Sequence, residues 1–153
     1  MKNLICVSII FLTVLSCNTL KTDYTKSEIN SISLYNFNDK PISIENLVEE
    51  WNKRIQVSEE INATIENLEI VNIIDNQTNK KTLVLLGSTN RNSVKTASKL
   101  TEFKKGLKLS DITVTCKNCA DELNIKLNDG NWGCFSNKEE TNSCTKIETL
   151  RTE

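Results

Sequence analysis

The chain has 153 residues, 38% hydrophobic and 25% charged, which is ordinary globular composition and enough for one domain. Nineteen basic and 20 acidic residues are interspersed to a net charge of -1, so no basic stripe exists to neutralise a run of phosphates, and nucleic acid is excluded as an expected partner. There is no histidine, which removes the usual neutral-pH general base and the commonest metal ligand together.

Residues 1–17 read MKNLICVSIIFLTVLSC. Lys2 gives a short positive start. Leu4 to Leu15 is an unbroken run of apolar residues, Ser and Thr. At 12 residues it is too short for a spanning helix, which needs about 20, and it fits the apolar core of a secretory signal. Val14-Leu15-Ser16-Cys17 resembles the lipobox of bacterial lipoproteins. The resemblance implies cleavage after Ser16 and a diacylglyceryl group on Cys17; Leu15 is larger than the residue that usually stands there. It implies a membrane partner through that anchor, because two acyl chains hold a domain to a bilayer where one holds it only marginally. It also implies a place in the cell envelope, at the outer rather than the inner membrane, since Asn18 and not aspartate follows the cysteine. The resemblance covers these 17 residues alone. Residues 18–30 are polar and read with Cys17 as a tether, leaving 31–153 as the domain.

Ile32, Leu34 and Phe37 suggest a short strand over 31–37. Pro41 followed by Ser43 is a helix start, with Ser43 as cap and acidic residues Glu45, Glu49 and Glu50 near the positive end of the helix. Ile44, Leu47, Val48, Trp51 and Ile55 recur at helical spacing and predict a helix over 44–57. The period then changes. Residues 68–74 and 82–86 are rich in branched apolar residues and read as adjacent strands, joined by the polar loop 75–81. Residues 94–103 admit a short helix bounded by Ser93 and Lys104-Lys105-Gly106, but Val94, Thr96, Ser98 and Thr101 are weak helix formers and strand is the preferred reading. Leu107, Leu109, Ile112 and Val114 alternate towards Cys116.

Asp129-Gly130 predicts a two-residue hairpin turn, which sets 127 opposite 132 and 125 opposite 134. Leu123, Ile125, Leu127, Trp132 and Cys134 then share one face. Residues 136–153 read as a polar tail held by Cys144. The whole predicts an α+β domain, one N-terminal helix packed on an antiparallel β-meander with a disulfide-stabilised C-terminal hairpin. Its element order resembles the cystatin-like arrangement, on order alone.

With Cys6 removed by cleavage and Cys17 acylated, Cys116, Cys119, Cys134 and Cys144 remain, an even set in an exported chain. Cys116 closes an alternating run and Cys134 faces inward, so the preferred pairing is Cys116–Cys134 with Cys119–Cys144; Cys116–Cys144 with Cys119–Cys134 is the alternative. Each bridge should contribute about 3 kcal/mol. Two sharper readings compete. Cys116-Lys117-Asn118-Cys119 has the spacing of half a four-cysteine zinc site, but nine residues separate Cys134 from Cys144. As a redox pair, Cys116 and Cys119 lack the preceding tryptophan and the intervening Gly-Pro of thioredoxins. The carboxylate pairs Glu49-Glu50 and Glu59-Glu60 read as solvated, and Asp75–Asn79 lacks the glycine and glutamate of a calcium loop. Trp51 and Trp132 read as core. No catalytic constellation, metal site or cofactor motif is recognised. The expected function is a non-catalytic binding module for a protein or small ligand, with the thiol–disulfide and metal readings as alternatives.

Overall fold

The computed structural model describes residues 22–119, 123–136 and 144–151. The leader, the lipobox and Cys17 lie outside the described residues. Two 3-10 turns, Tyr24–Lys26 and Ile29–Ser31, begin the described chain. Tyr24, Ile29 and Ile32 in this stretch pack against the apolar cluster around Leu85 and Trp51.

Strands β1 (Leu34–Tyr35) and β2 (Pro41–Ile42) form a small antiparallel pair. Helix α1 (Ile44–Lys53) opens at Ser43, whose side chain accepts from the Asn46 amide at 3.2 Å and satisfies one of the helix's free N–H groups. It runs straight into a π-helical turn, Arg54–Ser58. The antiparallel run β3 (Ile65–Ile74), β4 (Lys81–Thr89), β5 (Lys95–Phe103) and β6 (Gly106–Lys117) follows. Strands β7 (Leu123–Asn128) and β8 (Asn131–Ser136) make a separate hairpin, and β9 (Thr145–Leu150) returns to pair with β6.

The main sheet has the order β2-β1-β6-β5-β4-β3, with β9 also on β6. Because successive strand residues point to opposite faces, the sheet carries two cores. Leu85 joins Leu47, Trp51, Ile70, Leu100, Leu107 and Leu109 under the helix. Its neighbour Val84 joins Ala97, Val114, Leu127 and Trp132 under the β7–β8 hairpin. The sheet is therefore covered by a helix on one side and a second small sheet on the other.

The hairpin has the expected register, with Leu127 opposite Trp132 and Ile125 opposite Cys134. Asp129 and Gly130 both have positive φ (49° and 75°), as a type I′ turn requires. The α+β expectation is corrected. Among the described residues strand outweighs helix, 52% to 18%, with a single helix of 15 residues. Nor is the sheet an antiparallel meander of cystatin-like order, because β1 pairs parallel with β6 through Leu34–Leu107 and Tyr35–Lys108. That parallel pair depends on Gly106. A side chain there would run into the Ser33 carbonyl, which accepts from the Leu107 amide at 2.9 Å. The segment read as a polar tail supplies β9. Local alternation identified strands but carried no information on which distant segments would pair.

Candidate functional site

Ladder bonds between β4 and β5 begin at Ser88–Lys95 and stop at Val84–Lys99. Beyond that point Lys81–Leu83 stay with β3, while Leu100–Phe103 stay with β6. The sheet forks. The cause lies on β6, where Ser98 pairs with Thr113 but Leu100 pairs with Leu109. Two extra residues are thus taken up on β6 around Ser110–Ile112, and a bulge of this kind bends a strand and increases its twist. The bulge is held by its own side chain, with Ser110 Oγ accepting from the Ile112 amide at 3.1 Å. Past the bulge β5 follows β6 and leaves β4.

The fork encloses a cleft of about 790 Å³. Leu83 and Leu100 line it on the helix side, where Tyr24 also reaches it. Thr82, Thr101 and the Asp129-Gly130 turn line it on the hairpin side, and Asp23, Asn72, Thr78 and Lys80 are among the other lining residues. Lys81 and Glu102 stand on opposite arms at the rung farthest from the crotch, and Asp23 and Lys80 add further charge to the lining.

Gly130 roofs the crotch of the fork, held from both sides. Its amide donates to Asp75 Oδ2 at 2.7 Å, and its carbonyl accepts from Lys99 Nζ at 2.7 Å. Lys99 Nζ also lies 5.5 Å from the centre of the Trp132 ring, a cation–π contact. Asp75 is almost fully buried and accepts from four amides: Gly130, Asp129 (3.2 Å), Thr78 (2.9 Å) and Gln77 (3.0 Å). Those bonds favour the charged carboxylate, so Asp75 titrates well below the usual carboxylate range, held there first by Gly130 and then by Thr78. The β3–β4 turn is also joined to the hairpin by the Asn76 amide, which donates to the Leu127 carbonyl at 3.1 Å. The loop over 75–81 is thus a polar hairpin loop whose first residue pins a second hairpin.

A second polar cluster lies beneath the π-turn. Arg54 and Glu59, their side chains 9% and 2% exposed, form an ion pair at 3.5 Å. The π-turn causes this meeting: the Glu59 amide bonds the Arg54 carbonyl across five residues at 3.0 Å and turns both side chains inward. Arg54 Nη2 donates to Thr96 Oγ1 at 2.7 Å, and Thr149 Oγ1 of β9 donates to Glu59 Oε1 at 2.9 Å. Desolvation pulls the Arg54 guanidinium down to about 10, against the favourable charge of Glu59. The sequence pattern puts Glu59 on a solvated face, and the structure corrects this. Its neighbour in sequence, Glu60, is the exposed member of that pair. The period-3.6 pattern could not show this, because the extra residue of a π-turn shifts the phase. Trp51 and Trp132 are both core, at 1% and 6% exposure.

The structure joins Cys116 to Cys134 and Cys119 to Cys144. The first bridge ties the end of β6 to β8 within the core under the hairpin. The second ties the loop after β6 to the start of β9, with its Cα atoms 4.4 Å apart. Cys116 and Cys119 are therefore bonded to different partners and not to each other. Among the described residues no group of three or more Cys, Asp or Glu is arranged to hold a metal ion, and no helix is long and apolar enough to cross a membrane. No protein-family model matches the chain, and neither a curated protein nor a solved structure does.

Proposed function

We propose that this chain is an exported lipoprotein, anchored through Cys17 at the outer membrane, whose disulfide-stabilised domain is a non-catalytic binding module. The ligand site is the fork between β4 and β5. The supporting observation is that the fork is open while the two charged groups at its crotch, Asp75 and Lys99, are engaged in holding it. Asp75 commits its oxygens to four amides, and Lys99 donates to the Gly130 carbonyl. A carboxylate held far below its ordinary value is a poor proton acceptor, so Asp75 serves this cleft as a structural group rather than a general base.

Intact-mass analysis of the chain extracted from membranes tests the anchor. The expected product begins at Cys17 and carries a diacylglyceryl mass, and a Cys17→Ala variant leaves the membrane fraction. A chain that keeps its leader in the cytosol overturns the anchor. Catalytic turnover by the purified protein that disappears on substituting a fork residue overturns the binding-module reading.

A further inference from the structure

We infer that the fork takes one extended polypeptide segment as an inserted strand; this names the ligand class for the site proposed above and rests on that reading.

The two arms of the fork are strand edges. Lys81, Thr82 and Leu83 pair outward with Ile74, Ile73 and Asn72. Leu100 and Thr101 pair outward with Leu109 and Lys108. Their inner sides carry no β4–β5 ladder. If the register set by Val84–Lys99 continued, Leu83 would face Leu100, Thr82 would face Thr101 and Lys81 would face Glu102. Those three rungs are open, and at about 3.3 Å per residue they offer a depth of about 10 Å, or three residues of strand.

Each arm presents alternating N–H and C=O groups, and each unpaired main-chain group out of water costs free energy. A ligand that satisfies both rows must alternate donors and acceptors at strand spacing on both of its own sides, and a peptide backbone has that pattern. Because β4 and β5 are antiparallel to each other, one inserted strand lies antiparallel to one arm and parallel to the other.

The walls define the side chains. Alternate residues of an inserted strand point to opposite faces. One set meets Leu83, Leu100 and Tyr24 at the innermost rung, so the innermost residue of the insert is apolar. The other set meets Thr82, Thr101 and the Gly130 turn, which favours small or hydroxyl side chains.

The test uses the acylated chain purified from membranes and an array of acetylated, amidated hexapeptides randomised at alternate positions. The expected result is a binding peptide that slows hydrogen exchange at residues 81–83 and 100–102 together. Methylating its backbone nitrogens at alternate residues should weaken binding about tenfold or more, because main-chain donors are lost while side chains are kept. Equal binding by the methylated peptide, protection of one arm alone, or no array member that protects both arms overturns strand insertion. A compound that binds the fork when no array member protects both arms overturns it, while leaving the binding-module reading standing. That reading falls separately, by the turnover experiment given for it.

Discussion

The Asp75 carboxylate accepts the Gly130 amide at 2.7 Å across 55 positions of chain. One side chain thus fastens the turn of the β3–β4 hairpin to the turn of the β7–β8 hairpin, and the cleft lies beside that fastening. The contact joins the seven-stranded sheet to the two-stranded hairpin, beside the Asn76–Leu127 and Lys99–Gly130 hydrogen bonds and the Cys116–Cys134 bridge.

Asp75 makes the fold acid-sensitive in a defined direction. Its folded value is depressed, so the stabilisation is fully present above the unfolded carboxylate value, about 3.9, and is lost as pH falls towards the folded one. Thermal melts from pH 7 down to pH 2 should show the wild-type chain losing stability below about pH 4. Asp75→Asn should melt lower at pH 7, and its deficit should shrink in acid. A constant deficit at every pH would show that the charge of Asp75 is not what holds the turns.

The buried Arg54–Glu59 pair gives a second expectation. Glu59→Ala leaves a guanidinium buried without its counter-charge, and removing one partner of such a pair costs about 3–5 kcal/mol. The double variant Arg54→Met, Glu59→Leu should recover much of that loss. Chemical denaturation of Arg54→Met, Glu59→Leu and the double variant measures the coupling. Losses that simply add would mean that the two groups do not act as a pair.

The sheet also sets a limit on size at Gly87. A Cβ there would meet Ile65 Cδ1 at 2.9 Å, Thr96 Cγ2 at 3.0 Å and Trp51 Cζ3 at 3.1 Å, so the missing side chain is what lets the indole lie down on β4. Gly87→Val should cost about 1–3 kcal/mol by overpacking, read from the denaturation midpoint. Trp51 fluorescence should change with it, whereas Gly130→Ala, where a Cβ meets no atom within 4 Å, acts through its positive φ and leaves the indole undisturbed.

The bridges can be counted. Alkylation of the mature, unreduced chain should modify none of Cys116, Cys119, Cys134 and Cys144, and all four after reduction. Replacing Cys119 and Cys144 together by serine should cost about 3 kcal/mol. The loss should appear first as faster hydrogen exchange in β9, which that bridge anchors. Protection of β9 unchanged by the double replacement would assign its stability to the β6 ladder alone.

Much of this fold was legible where the signal is local. Ser43 announced α1, and Asp129-Gly130 announced both the hairpin and its register, because a two-residue turn leaves only one pairing. Branched apolar runs found β3 and β4 and alternation found β6 and the β7–β8 hairpin, while β2 and β9 went unread. What stayed hidden was non-local. The two residues of β1 are too few to carry a pattern, and their parallel partner on β6 lies some 70 positions away. The fork was hidden for the same reason: Ser110-Asp111-Ile112 keeps the alternation of Leu109 and Thr113 in phase, since a bulge of two residues preserves which side chains point inward. Glu59 looked solvated beside Glu60, and only the π-turn separates their fates. Asp75 stood in the sequence as one polar loop residue among several.

That phase-preserving bulge has an evolutionary corollary. Gaining or losing two residues at this place is a short in-frame change, and it would leave the core side chains on their own sides of the sheet. Relatives carrying the deletion would be expected to retain the architecture with β4 and β5 zipped along their length and no receptacle between them. Variation in the length of one short stretch would then separate chains able to hold a guest from chains that are scaffold only.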